Sequence, residues 1–352
     1  MILQKTIKAK IVNLTDIKQQ KIQKEYTNFQ NKVKLYQDGL DFLDIYKTIP
    51  LYSATSQQAE RLVKRAKPKH NQPLIIRRDC IKIQQQDTKV SDYWARIPIH
   101  KKSIWVAIQF PKQHKHLLEH SIRECKILSK NNNWFLLITI QTETEIHTHY
   151  NSLIAIDLGE KNIATSVELK TNRVEFYGKK VRGVRRHYAW LRKRLGNKKA
   201  LKTIKKIGQK EQRIVNYHLH KISRDIVNRA KETNSAIVLG NLKGIRKSAK
   251  NKGRRFNRIV SNMPYYKLTQ YIEYKANDAG LQVVKISERN TSKTCSKCGS
   301  IGSRQKQSVF NCSHCGLKDY NADLNGATNI LKRFSGQCLE NGGLLAIPEL
   351  TQ

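Results

Sequence analysis

Residues 288–330 read ERNTSKTCSKCGSIGSRQKQSVFNCSHCGLKDYNADLNGATNI. Cys295 and Cys298 form one CxxC pair, Cys312 and Cys315 a second, and thirteen residues lie between them. Four thiolates in two short knuckles can close a tetrahedral shell around zinc. Such an ion supplies the folding energy that a segment this small and polar cannot draw from a core. The spacing therefore predicts a zinc ribbon over residues 289–318 rather than two chance turns. Directly after it, Asp323 opens DLNGATNIL, which reads as the start of a helix carrying a carboxylate fit for catalysis.

Outward from this stretch, the totals narrow the class. The chain has 352 residues, enough for two or three domains. Lys and Arg number 67 against 27 Asp and Glu, a formal charge of +40. Self-repulsion on that scale opposes folding, so it implies a polyanionic partner, with nucleic acid first. No apolar run is long enough for a membrane span, and MILQKTIKAKIVNL is too broken by Lys and Gln for a signal peptide. Seven cysteines, four of them in the ribbon, suit a reducing cytoplasm, with nucleoid association when DNA is bound. Cys80, Cys125 and Cys338 are expected to be inert thiols.

The amino-terminal half divides by pattern. Residues 1–14 alternate as a strand. Thr15 or Asp16 can cap a helix whose apolar positions are Ile22, Tyr26, Phe29, Val33 and Tyr36, and a second helix is expected from Ser56 to Ala66. Together, residues 15–66 read as a helical insertion. Residues 67–149 hold short β-like runs (PLIIRRDCIKI, YWARIPI, KSIWVAI, WFLLITIQ) and predict a small barrel or sheet that residues 1–14 join. His116, Glu119 and His120 form an HxxEH pattern. With no third ligand and several lysines around it, an exposed polar segment is the expected reading.

Residues 150–333 carry the chemistry. LIAID is a buried strand ending on Asp157; IATSVEL and RVEFYG follow as further strands. Residues 179–213 contain fifteen Lys or Arg, and Glu211 is the only acid. This predicts helices with one packed face and one phosphate-binding face, Arg185, Arg186, Arg192 and Lys193 among the contacts. A helix from about Glu211 to Glu232 leads to the buried strand SAIVLG, then to a basic loop with Arg254 and Arg255. A helix over 264–280 leads to LQVVKIS, which ends on Glu288. Strands joined through helices run parallel. The ends at Gly240 and Glu288 should therefore share one sheet edge with Asp157. The fold class is α/β, and residues 334–352 are expected to form a disordered tail.

IAIDLG, IVLGNLKGIR, ERNTSKTCSKCG, the second CxxC and NADLNGATNI together resemble the TnpB family of insertion-sequence-encoded, RNA-guided nucleases. The resemblance covers most of residues 150–333, and the amino-terminal half matches in layout only. It implies an RNase H-like (RuvC) nuclease core with an inserted zinc ribbon, preceded by a wedge-like β-barrel domain that a helical recognition insertion interrupts. It also implies a guide RNA and a double-stranded DNA target as partners, structural Zn²⁺, and catalytic Mg²⁺ on Asp157 and Asp323. One departure stands out: many members carry Glu where this chain has Gly240, and Asn241 offers no carboxylate. Glu288, ending the next parallel strand, is the expected replacement; Asp319 is a weaker one.

Hard oxygen ligands of this kind suit Mg²⁺-dependent phosphodiester hydrolysis at a two-metal site. No Walker A motif is present, so no nucleotide cofactor is expected. Sequence would be read by guide pairing, the protein supplying a positive channel, with Arg77 and Arg78 as backbone contacts. The competing readings are a nuclease-inactive RNA-guided DNA-binding regulator, a zinc-ribbon protein that binds RNA alone, and a conventional transposase.

Overall fold

A computed structural model describes residues 1–40, 48–65, 72–242, 263–304 and 308–340, together with positions 45, 253, 257 and 306. It separates into two compact units, residues 2–143 and residues 144–352 with Met1.

In the first unit, β1 (Ile2–Val12) alternates Ile7, Ala9 and Ile11 inward against Lys8 and Lys10 outward. The chain then enters α1 (Asp16–Gln37), whose cap is Thr15, its hydroxyl accepting the Lys18 amide. Ile22, Phe29 and Val33 are its buried stripe, and α2 (Ser53–Arg65) packs beside it. Between them lie a buried acid and a buried base. Glu25 accepts the backbone amides of Tyr52 and His100 at 2.9 and 3.1 Å, and Lys32 donates to Ser56 Oγ at 2.8 Å.

The strands β2 (Leu74–Ile76), β3 (Lys82–Gln85), β4 (Tyr93–Ile99), β5 (Lys102–Gln109), β6 (Ser121–Lys130) and β7 (Asn133–Glu143) complete a seven-stranded antiparallel sheet in the order β2-β6-β7-β1-β5-β4-β3. The amino-terminal strand thus sits inside the sheet. The outermost strands β2 and β3 do not pair, so among the described residues the ladder stays open where a small barrel was expected. Strand β6 was not anticipated. A register shift between Ile122 and Cys125 breaks its period-two pattern, which hides it in the sequence. His116, Glu119 and His120 lie in and just after a 3-10 turn over Lys112–Glu119, exposed and holding no metal cluster. Burial pushes the Cys125 thiol up to about 12 and also raises Cys80, so both are poor nucleophiles. The Cys338 side chain lies outside the described residues.

The second unit is built on five strands: β8 (Ser152–Asp157), β9 (Ala164–Glu168), β10 (Val174–Tyr177), β11 (Ser235–Asn241) and β12 (Val283–Ser287), ordered β10-β9-β8-β11-β12. The first three form an antiparallel meander; β11 runs parallel to β8 and β12 parallel to β11. The core residues of β8 and β11 are continuously apolar and buried, the mark of a sheet covered on both faces. Between β10 and β11 come α3 (Lys179–Asn197) and α4 (Leu201–Glu232). The helix expected from Glu211 starts a full ten residues earlier, because Ile204 and Ile207 continue the stripe that Val215, Leu219, Ile222 and Ile226 bury. Helix α5 (Tyr265–Asp278) joins β11 to β12.

The ribbon follows, with a minimal hairpin of β13 (Val309–Phe310) and β14 (Tyr320–Asn321), and then α6 (Ala322–Glu340). Helix α6 packs on β8, β9 and β11. It buries Ala327, Ile330, Leu331 and Phe334, so the segment expected to be a tail from residue 334 on begins as helix. Residues 341–352 lie outside the described residues. No helix among the described residues is long and apolar enough to cross a membrane.

Candidate functional site: a carboxylate cluster beside a four-cysteine ribbon

The parallel register of β8, β11 and β12 decides what meets at their carboxyl ends. Ile156 pairs with Leu239, Gly240 with Ile286, and Asn241 with Ser287. Asp157, Gly240 and Glu288 therefore share one edge of the sheet. A Cβ placed on Gly240 would overlap the Glu288 carboxylate and come within 2.5 Å of its Cγ. The Glu288 side chain fills the volume that a side chain at 240 would need. Helix α6 closes over the same edge. Gly326 lets its backbone approach Asp157, since a Cβ there would stand 2.8 Å from Asp157 Oδ2.

Asp323 reaches the site from the first turn of α6. Asn321 caps that turn, its Oδ1 accepting the amides of Asp323 and Leu324 at 3.0 and 3.1 Å. A carboxylate beside a helix amino terminus is electrostatically favoured. The buried Asn162, from the loop after β8, donates its Nδ2 to Asp323 Oδ2 at 3.0 Å. One Asp323 oxygen is thereby oriented.

The charges of these groups act on one another. Burial, then the charges of Glu288 and Asp323, push Asp157 up to about 8. Burial pushes Glu288 up to about 7, and its Oε1 is a buried acceptor with no partner among the described residues. The Tyr265 hydroxyl on α5 is also raised, by burial and by the carboxylates of Glu160, Asp157, Asp323 and Glu288. Arg304, from the insert between the two CxxC pairs, is a cation acting on Asp157 in the opposite sense. Half-buried acids that repel one another, one of them with a buried oxygen that has no partner among the described residues, fit a hard divalent cation. Among the described residues, the four cysteines are the group whose ligand atoms all lie within 4.8 Å of one another.

Those cysteines form the second centre. Cys295 and Cys315 Sγ lie 3.6 Å apart, as do Cys298 and Cys312 Sγ. A tetrahedron of Zn–S bonds of about 2.3 Å sets its sulfurs roughly 3.8 Å apart, so the spacing fits zinc. Hydrogen bonds, first from the Ser300 backbone amide, hold the Cys298 thiol down to about 6, while burial and the neighbouring cysteines push Cys315 up to about 11, so without a metal the cluster shares its protons unequally. The ribbon is buckled to α6 by two asparagines one helical turn apart. Asn325 accepts the Ser296 amide and donates to Thr294 O, both at 2.8 Å. Asn329 donates to Thr291 O and Thr294 O at 2.8 and 2.7 Å.

The structure thus brings Asp157, Glu288 and Asp323 to one edge and gathers all four cysteines. Asp319 stays exposed on the ribbon. Of the basic candidates, Arg185 and Arg192 are turned onto the buried Glu211 between α3 and α4. Arg77 pairs with Asp79 at 2.8 Å, whereas Arg78, Arg186 and Lys193 are exposed. Arg254 and Arg255 lie outside the described residues. Asn162, Tyr265 and Arg304 were missed by the sequence reading. None belongs to a motif that announces a role, and only Asn162, five residues past Asp157, stood near one that does.

The family model for the Cas12f1-like TNB domain matches residues 265–330, from α5 through the ribbon into α6. A TnpB-like protein of Methanocaldococcus jannaschii is 31% identical over 197 residues, covering 53% of this chain and 70% of that protein. The CRISPR-associated endodeoxyribonuclease Cas12f1 of Sulfoacidibacillus thermotolerans is 32% identical over 235 residues, covering 60% of this chain and 53% of that protein. This chain spans about half the length of the Cas12f relatives it matches. Among solved structures, the Cas12f1–sgRNA–target DNA complex superposes with a TM-score of 0.57 at 16% identity, covering 89% of this chain and 79% of that one, a likeness of fold. With its α/β sheet, its four-cysteine ribbon and a relative of which it spans more than two thirds, the chain belongs to the TnpB-like family.

Proposed function

We propose that this protein is an RNA-guided, Mg²⁺-dependent DNA endonuclease of a transposable element, with an RNase H-like core whose third carboxylate has moved from position 240 to Glu288. The observation that carries it is the overlap between Glu288 and the volume of a side chain at Gly240. A chain that had merely lost its nuclease has no reason to refill that space with a carboxylate from the next strand. Two groups of similar proteins, TnpB-like proteins and Cas12f endodeoxyribonucleases, point the same way.

Asp157, central on β8, Glu288 and Asp323 would hold magnesium, which when bound supplies a nucleophilic water at neutral pH and charge stabilisation at the leaving oxygen. The chain's own contribution is positional. Asn162 fixes one Asp323 oxygen, and Gly326 admits the α6 backbone against Asp157. Glu288 and Asp157 stand half-buried at the sheet edge, and Arg304, the cation that acts on Asp157, would offset charge on a scissile phosphate. The cysteines would hold structural zinc, stiffening the segment that carries Arg304. Guide RNA and target duplex would bind on the basic surface, sequence being read by base pairing, in the cytoplasm.

A nuclease-inactive regulator is the second reading, favoured by Gly240 standing where the family resemblance calls for Glu. One experiment separates the two. The purified protein–guide complex is given a plasmid matching the guide, randomised beside the target, with Mg²⁺. Cleavage by wild type, lost in Asp157→Ala and Glu288→Ala with target binding kept, supports the nuclease. Binding without cleavage by wild type supports the regulator, and cleavage by Glu288→Ala removes Glu288 from the site.

A further inference from the structure

We propose that the outward face of α3 is a stacking platform for an unpaired polynucleotide strand, with Trp190 contacting a base and Arg186, Lys193 and Arg194 holding phosphates. The proposal rests on the nucleic-acid reading above and assigns it a surface and a strand type. Helix α3 has two faces. Val181 and Tyr188 are buried, and Arg185 and Arg192 on the flank are engaged by Glu211. Arg186, Trp190 and Lys193 follow one another at i+4 and i+3, so they stand in a single row on the other side.

Trp190 is 54% exposed, which is unusual for an indole that could have been buried. It is held rather than dangling. The His187 ring lies 6.2 Å away at 30°, and the Arg194 guanidinium 5.5 Å from its centroid. No Asp or Glu occurs in Lys179–Asn197, so nothing on the helix repels a phosphate. An amphipathic membrane helix would need an apolar face outward, but here that face is spent on the core. A flat aromatic ring amid cations suits unpaired bases, whose π-faces a duplex conceals.

The test is fluorescence anisotropy of the full-length protein with no added divalent ion, on labelled oligothymidylate and oligouridylate of roughly twelve residues and a blunt duplex of the same length. Trp190→Ala is expected to weaken single-strand binding by about tenfold, as expected for one stacked base, while leaving the duplex and the salt slope unchanged. Trp190→Phe keeps most of the affinity. Arg186→Gln lowers the single-strand salt slope by about 0.7, the value of one phosphate contact. The ratio between the two oligonucleotides tells whether the strand is RNA or DNA. An equal loss on strand and duplex, or no loss on either, overturns the proposal; the second outcome makes Trp190 a protein contact. Because nothing is cleaved in this assay, a catalytically dead protein can still pass it. A protein that cuts guided DNA can still fail it, so the two readings fall separately.

Discussion

Glu288 and Gly240 are complementary across two parallel strands: the carboxylate of one fills the side-chain volume that the other lacks. This makes a reciprocal prediction. Glu288→Gln should lower cleavage by on the order of a hundredfold or more, because a ligand for charge is lost at the reacting centre. Gly240→Ala should lower it comparably with little change in thermal midpoint, since the added methyl displaces the carboxylate rather than the core. The double variant Gly240→Glu/Glu288→Ala should recover part of the activity that either Glu288 change alone removes. A double-mutant cycle on cleavage rates measures this coupling; additive losses would sink the relocated carboxylate.

The raised acids predict how stability responds to pH and metal. Unfolded, Asp157 and Glu288 titrate near 3.8 and 4.5; folded and metal-free they hold their protons to about 8 and about 7. Over that window the folded state binds more protons than the unfolded one, so their contribution is full below about pH 4 and is lost as pH climbs through 7 and 8. The metal-free thermal midpoint should therefore fall between pH 5 and pH 8, less so in Asp157→Asn. Mg²⁺ should raise it more at pH 8 than at pH 5, because it binds the ionised form. Calorimetry at the two pH values, with and without Mg²⁺, checks both.

Asn162 is a positioning group for Asp323, donating at 3.0 Å from a buried site. Asn162→Ala should cost roughly 10- to 100-fold in Mg²⁺ affinity or rate, as losing an outer hydrogen bond to a ligand does. The loss should shrink as Mg²⁺ is raised, and target binding should be unchanged. A loss independent of Mg²⁺ concentration would leave Asn162 with a purely structural role.

Metal in the ribbon should be felt in α6. Cys312→Ser, or chelation with a zinc-selective reagent, is expected to abolish the bound zinc measured by elemental analysis. It should also raise hydrogen exchange in residues 291–299 and, through Asn325 and Asn329, in the first turns of α6 around Asp323. Unchanged exchange in α6 would mean that the ribbon folds apart from the carboxylate edge.

Much of this protein was legible in its residues because the relevant signals are local. Four cysteines at ribbon spacing specify a cluster able to hold a metal ion, and the runs LIAID and SAIVLG specify strands buried on both faces. Asp157 and Asp323 stand beside those elements and were found with them. What tertiary structure alone decided depends on contacts between distant segments. Whether Glu288 enters the site follows from the register of β12 on β11, which no periodicity encodes. Which arginines are available follows from the pairing of α3 with α4, where Glu211 takes Arg185 and Arg192 and leaves Arg186 exposed. Asn162 and Arg304 acquire their places only when a loop and the ribbon are folded against the sheet edge. Local pattern sets the elements; close packing and electrostatic proximity between elements set the chemistry.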